Sequence, residues 1–440
     1  MEYSTIFHVR NLVENIISEL TNLETENSTI IKVNSENLLQ NGEVSFLSNL
    51  RVWRGYVSCH LNDDLEPKNI LDHYLGSKNF DFKHLTDEEV GQETFKRLVS
   101  KSKEWSLQIN SCSLKKERVC LFLNRPQILS LAIKTAVKNG HSYGKKALVN
   151  ECFTLKMQVD KGSELTNQRL HFLKDVTENI LRLQGYGVSE ENGDHNYILT
   201  TKSEGIIEGN YKKIVCGVVK NLELNSKETS LTWKSYLCSK KEKLLELNAH
   251  KYKTENKEMG DYNEDIEEIA RTVIKFELLS VKPSRAVFLK NVATSDDTMK
   301  GAAFILYNTA RIKAILNKYT EKELDGNYPK LSNIEDVDFS CLNQEEEWEL
   351  VYNFILQYPE MVQSCIKHKS SFEICPQYVS SFLSRLCQQF SAFYRRSRVL
   401  VEGYSHLMPT VMARIYMLQA LLVVLENALA IFGTTSVTNM

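Results

Sequence analysis

The chain has 440 residues, enough for about three domains at roughly 150 residues each. Its hydrophobic fraction of 42% and charged fraction of 25% exclude a mostly disordered chain, a collagenous one and a membrane-embedded one. With 54 Lys and Arg against 56 Asp and Glu, the formal charge is −2, so any affinity for nucleic acid has to come from local patches.

The stripe Val9, Leu12, Val13, Ile16 and Ile17 predicts a helix over 7–20. Val52, Tyr56 and Val57 form a short apolar run of strand type. Val119 to Leu123 reads as a strand, and Pro126 with Ile128 to Val137 opens a helix, since proline suits a first turn. Leu155 to Val159 reads as the next strand, followed by a helix over 167–183 that Gly185 caps. The turn residues 191–194 precede a strand at Tyr197 to Leu199, and Ile214 to Val219 is another run rich in β-branched residues. Polar residues 253–265, with Gly260, predict a linker.

Beyond it the periodicity is helical. Ile266 to Leu279 and Ala302 to Leu316 have apolar residues at helical spacing, and the turn-rich acidic stretch 321–343 follows. Trp348 to Tyr358 predicts a helix ended by Pro359. Pro376 opens a long helix with Val379, Phe382, Leu383, Leu386, Phe390 and Phe393 on one face. The last helix runs from Pro409 to Phe432 and closes at Gly433. The expected organisation is an α+β N-terminal half, divided into 1–147 and 148–260, followed by an all-α helical bundle over 261–440.

The first residues carry neither a basic flank nor an apolar core with a cleavage site, so no signal peptide is expected. Leu418 to Phe432, interrupted by Gln419, Glu426 and Asn427, is shorter than the roughly 20 residues of a membrane span and reads as a buried helix. The ten cysteines include no Cys-x-x-Cys pair, which suits reduced thiols in a cytoplasmic protein. The histidines lack metal-ligand spacing, and no cofactor motif stands out.

Gly185-Tyr-Gly187 imitates a dinucleotide fingerprint but follows a helix, so capping explains it. Gly140-His-Ser-Tyr-Gly144-Lys145-Lys146 imitates a phosphate loop with Lys where Ser or Thr belongs, and a turn is the simpler reading. Tyr394, Arg395 and Arg398 are candidates for contact with RNA: arginine grips phosphate bidentately, and tyrosine stacks on an unpaired base. Arg395 and Arg398, three apart, are expected on one helix face. A solvated helix surface is the competing reading. Tyr307, Asn308 and Arg311 form a second group, set against a core tyrosine. Lys367 and Lys369 flank a basic tip, or a plain solvated loop. Arg414 is either a contact or a salt bridge within the bundle. Residues 202–253 hold 11 basic and 6 acidic side chains, a net of +5 that favours a phosphate backbone, with Lys240, Lys241 and Lys243 as the test residues. Glu345-Glu-Glu347 is expected to face away from RNA or to meet a protein partner.

The helical half resembles the DALR anticodon-binding domain of arginyl-tRNA synthetases. Phe304 to Ile312 is similar to its opening helix, and Trp348 to Pro359 with Glu360-Met-Val362 to its next helix and break. Leu383 to Leu400, with Phe393-Tyr-Arg-Arg-Ser-Arg398, is similar to its most recognisable helix, and 433–440 to its capped tail. Leu148 to Val188 resembles the first strand and helix of the class I catalytic domain. At the His-x-Gly-His position, however, stands Glu164-Leu-Thr-Asn167, which would repel phosphate. The second signature falls near Ser230-Leu-Thr-Trp-Lys-Ser235, only about 65 residues on, too few to complete a doubly wound sheet.

The chain is therefore similar to the DALR anticodon-binding domain-containing protein 3 family. That resemblance implies a pseudo-synthetase without cofactor. It implies that arginine tRNA is bound for a partner methyltransferase, which makes 3-methylcytidine in the anticodon loop. The alternative is a divergent synthetase that still joins arginine to tRNA in an ATP-dependent reaction.

Overall fold

A computed structural model describes residues 9–25, 28–57, 67–82, 84–191, 193–202, 209–252, 262–289, 296–367, 372–401 and 405–434. The residues around Gly260, Lys369 and the C-terminal tail beyond 434 fall outside that set.

The N-terminal unit runs α1 (Val9–Thr21), β1 (Ile31–Val33), α2 (Leu38–Asn41), β2 (Val44–Leu47), α3 (Ile70–Ser77), α4 (Asp87–Ser102), β3 (Ile109–Lys115), β4 (Arg118–Leu123) and α5 (Arg125–Asn139). Its strands pair antiparallel in the order β1-β2-β4-β3. Residues 51–57 form turns rather than the expected strand, because Trp53 is buried and its indole donates to Leu47 O at 2.7 Å. The strand lies just before, at β2. Asn124 caps α5 by accepting the Gln127 amide at 3.4 Å.

The middle unit runs β5 (Cys152–Met157), α6 (Glu164–Leu183), β6 (Gly187–Ser189), β7 (His195–Thr200), β8 (Lys212–Val215), β9 (Val219–Asn221) and α7 (Trp233–Tyr252). Here the sheet is parallel, ordered β6-β5-β7-β8. Ser163 caps α6, its hydroxyl accepting the Thr166 amide at 3.2 Å, and Leu170, Leu173, Val176 and Ile180 pack inward. The helix stops at Gly185, whose φ is +88° and where a Cβ would sit 2.0 Å from Ala147 O, so only glycine fits.

The C-terminal unit comprises α8 (Tyr262–Leu278), β10 (Val287–Leu289), α9 (Asp296–Leu324), α10 (Glu345–Leu350), α11 (Tyr358–Ser364), β11 (Ile366–Lys367), β12 (Glu373–Ile374), α12 (Gln377–Arg396) and α13 (Met408–Ile431). The expected helix over 348–358 is instead α10 followed by a π-helical stretch, Val351–Leu356. Pro359 then sits in the first turn of α11 rather than after a helix, a place that needs no amide donor.

α13 has the length and apolarity of a bilayer span. It is instead the axle of the bundle, with Ala413, Met417, Leu418, Leu421 and Val424 fully buried and α5, α6, α9 and α12 around it. The N-terminal unit packs on this bundle through polar pins as well as apolar contact. The Tyr143 hydroxyl donates to Ile355 O at 2.7 Å, its ring stacks on Tyr358 at 5.9 Å, and Asn427 donates to Gly140 O at 3.0 Å. The loop that imitates a phosphate site is thus a packing joint: a Cβ on Gly144 would lie 2.6 Å from the Tyr358 ring.

Candidate nucleic-acid interface

α9 and α12 run side by side in the same direction. The Cys387 sulfur lies 4.0 Å from Ile305 O, and further along both helices the Arg311 guanidinium lies 4.9 Å from the Tyr394 ring. Ala302, Ile305, Ile312 and Tyr319 bury one face of α9. The helical period places Tyr307, Arg311 and Lys318 within about 40° of one another on the other face.

There Arg311 is held in a defined pose. It donates to the Tyr307 hydroxyl at 2.6 Å and lies 4.5 Å from that ring, so it sits against both tyrosines. Each tyrosine is 40% exposed. Beside them opens a cleft of about 420 Å³, lined by Arg311, Ala314, Ile315, Lys318, Tyr394 and Arg398 among others. Among the described residues, neither Lys318 nor Arg398 has a carboxylate partner. The Tyr394 face and three cations line the open cleft, with Tyr307 holding Arg311 from outside its lining, an arrangement that can take a base by stacking and its phosphates by charge.

The far wall of the cleft, 397–400, is set by an ionic hub at the start of α10. α12 ends at Ser397, which is extended, so Arg398 stands on the following segment and does not share a helix face with Arg395 as expected. Ser397 donates to Gln344, and Arg396 donates to Glu346, a bond that holds that carboxyl below its ordinary range. Arg414 donates to Glu347 at 2.7 Å and to Arg398 O at 2.9 Å. Glu345 receives Arg125 from the N-terminal unit. The three glutamates therefore each grip an arginine of this chain, where the sequence led us to expect a run that faces away from RNA or meets a protein partner.

Of the residues nominated from sequence, the structure brings Tyr307, Arg311, Tyr394 and Arg398 together, with Arg395 exposed alongside. Arg414 is 9% exposed and engaged, which removes it from the contact set. Asn308 is wholly buried, its amide donating to Phe304 O at 2.7 Å. Lys367 is exposed on β11, in a separate hairpin, and Lys369 lies outside the described residues. Lys318 was not nominated; its position seven residues after Arg311 is the signal that would have found it.

In the basic middle segment, Lys240 is wholly buried and pairs with Glu277 at 2.9 Å, so it cannot meet a phosphate, and Lys241 pairs with Glu267 at 2.9 Å. The two stretches read in the sequence as counterparts of the synthetase signatures, 164–167 and 230–235, meet. Glu164 accepts the Trp233 amide at 2.8 Å, and the Trp233 indole packs edge-on to Phe172 at 5.8 Å with Arg271 across its face at 6.0 Å.

Known proteins resemble this chain in sequence and in fold. Residues 305–440 match the model of the DALR anticodon binding domain. A rat (Rattus norvegicus) protein named DALR anticodon-binding domain-containing protein 3 is 24% identical over 319 residues, 69% of this chain and 59% of that protein. Its Danio rerio namesake is 26% identical over 49% of this chain and 39% of its own length. The arginine–tRNA ligase of Syntrophotalea carbinolica is 28% identical over 42% of this chain and 31% of the ligase. This chain thus spans less than two thirds of the length of the curated relatives it matches. The fold is that of the Thermus thermophilus arginyl-tRNA synthetase (TM-score 0.58, 10% identity, 98% of this chain and 100% of that one). The Plasmodium falciparum enzyme is similar (TM-score 0.62, 9% identity, 99% and 100%). The protein therefore carries a DALR anticodon binding domain on an arginyl-tRNA synthetase fold, and it is a relative of the proteins named DALR anticodon-binding domain-containing protein 3.

Proposed function

We propose that this protein is a non-catalytic tRNA-binding adaptor. It selects arginine tRNA in the cytoplasm and presents the anticodon loop to a partner methyltransferase that makes 3-methylcytidine. The observation that carries the RNA half is Arg311 set against Tyr307 and Tyr394 in a cleft with Lys318 and Arg398. Such a site has no reacting group of its own: it offers stacking and phosphate contacts, so specificity resides here and the chemistry must come from another molecule. The non-catalytic half draws support from Glu164, whose carboxylate would oppose a nucleotide phosphate, and from Trp233, which packs where the two signature stretches meet.

The protein is recovered from cells, its RNA sequenced and its co-purifying proteins identified. Arginine tRNAs together with a methyltransferase support the adaptor. A protein that brings down neither is a helical scaffold. The similarity to arginine–tRNA ligases favours one other reading, a divergent synthetase, and arginine-dependent ATP–pyrophosphate exchange by the purified chain would establish it against the adaptor.

A further inference from the structure

The run Glu345-Glu-Glu347 opens α10 and is not part of the lining of the cleft. Consecutive helical residues point about 100° apart, so three in a row reach three different neighbours. Glu345 holds Arg125 of the N-terminal unit through two bonds, one to each terminal nitrogen of its guanidinium. Glu346 takes Arg396 at the end of α12, and Glu347 takes Arg414 of α13 at 2.7 Å. The turn is itself closed, because Glu347 also accepts the Gln344 amide at 3.0 Å. α10 therefore begins as a three-way joint.

On the N-terminal side of this joint Arg125 is fixed. Glu43, whose side chain is 0% exposed, takes it at 3.0 Å. The same carboxylate accepts the Leu123 amide and the Trp348 indole, both at 2.8 Å, and the guanidinium lies 5.1 Å from the Trp348 ring. A cation held in this way dictates where Glu345 sits. On the other side Arg398, a cation of the cleft, depends on the joint. It stands beyond the end of α12, so no helical ladder places it. Two bonds do. Ser397 donates to Gln344, and Arg414, itself held by Glu347, donates to the Arg398 carbonyl at 2.9 Å. Both lead back to the first turn of α10.

We propose that the N-terminal unit sets the pose of the RNA cleft, with Arg125 and Glu345 as its positioning residues. The inference rests on the RNA-binding reading above and adds a remote control to it. With the pair intact, the wall that carries Arg398 is already ordered, and RNA does not have to order it on binding. With the pair broken, α10 and the wall loosen together and the cleft binds less well. The coupling is reciprocal, so RNA in the cleft tightens the docking of the N-terminal unit.

The test measures binding of the full chain to a hairpin with the anticodon arm of an arginine tRNA. Glu345→Ala leaves Arg125 on Glu43 and removes its link to α10; it weakens binding by about fivefold. The sign is diagnostic. Loss of an acidic side chain near a polyanion would by charge alone strengthen binding. Loss of a residue that only holds the fold would lower the melting temperature and leave the affinity of the folded chain as it was. Arg125→Lys is the second variant: it keeps a cation on Glu43 but cannot fork to both carboxylates, and it gives a loss of the same order. Glu345→Gln, which keeps an acceptor for Arg125, restores most of the affinity. In an Arg398→Ala background the loss from Glu345→Ala disappears, and in an Arg311→Ala background it persists. Unchanged or tighter binding by both Glu345→Ala and Arg125→Lys, or a loss that persists in full alongside Arg398→Ala, overturns the positioning role alone. A wild-type chain that binds neither the hairpin nor arginine tRNA overturns the RNA reading on which the role rests.

Discussion

The middle unit and the helical bundle contain the same kinds of side chain, yet they put them to opposite use. In the middle unit, Glu164 accepts the Trp233 amide and Lys240 is sealed against Glu277 and the ring of Tyr236. Both of these groups are answered from within the chain. In the bundle, Lys318 and Arg398 stand at an open cleft, and two tyrosines are 40% exposed. A polar group answered internally stabilises a fold, and one left open at a cleft is available to a ligand. The type of residue does not decide which; the neighbours do.

The largest effects should come where an answered group loses its partner. Arg414→Met strands Glu347, whose side chain is 0% exposed, and should cost about 3–5 kcal/mol in denaturant unfolding. It should also loosen the 397–400 wall, since the Arg398 carbonyl loses its donor. A loss under about 1 kcal/mol, with RNA affinity reduced, would return Arg414 to the contact surface and blur the division between the two regions.

The second effect is on binding alone. Arg311→Glu should weaken tRNA binding by about tenfold or more, because a carboxylate replaces a cation beside a polyanion. The melting temperature should stay close to that of wild type, as Arg311 sits on the exposed face of α9. Tyr394→Ala should lose about 1–3 kcal/mol of binding, as for one stacked base, and Tyr394→Phe should retain most of it. Filter binding at several salt concentrations measures both. If Tyr394→Phe loses as much as Tyr394→Ala, the hydroxyl rather than the ring carries the contact.

The same distinction explains what could be read from the sequence. α6, α12 and α13 were legible because their apolar spacing and their capping glycine or proline are local properties. The strand at β2 was missed because the apolar run Val52, Tyr56 and Val57 reads as a strand, while the burial of Trp53 that folds this run into turns is a tertiary fact. Tyr307, Arg311 and Tyr394 were nominated from their residue types. That Arg311 bridges the two tyrosines depends on α9 and α12 lying parallel, which no spacing within either helix encodes. Arg414 and Lys240 show the converse. Each has the composition of a contact, and only the facing glutamates, far away in sequence, reveal a strut.

The smallest predicted effect separates the two regions by acid. At the C-terminal edge of the parallel sheet, burial works against the Asp160 carboxylate, but bonds from Lys227, the Gly162 amide and the Thr201 hydroxyl outweigh it and hold its pKa below the ordinary range. Glu228 is lowered in the same way, with burial opposed by Ser230, Asn221 and the Leu231 amide. A carboxyl whose folded pKa lies below its unfolded one contributes stability above the unfolded value and loses it as pH falls through the folded one. In the bundle, Arg396 lowers Glu346, but burial raises both Glu349 and Glu360, so protonation of those two relieves a cost that works against the loss at Glu346. Lowering the pH from about 5 to about 3 should therefore weaken the middle unit before the bundle, by up to about 1.4 kcal/mol per pH unit for each proton taken up. Hydrogen exchange resolved by peptide reads the two separately. Asp160→Asn should flatten the acid response of β5, β7 and the start of α6 while leaving α12 and α13 unchanged. An equal response in both regions would mean that the two units melt as one, and that the bonds from Asn179 to the Ile431 carbonyl and from Gln184 to the Val362 carbonyl couple them more tightly than the sheet edge divides them.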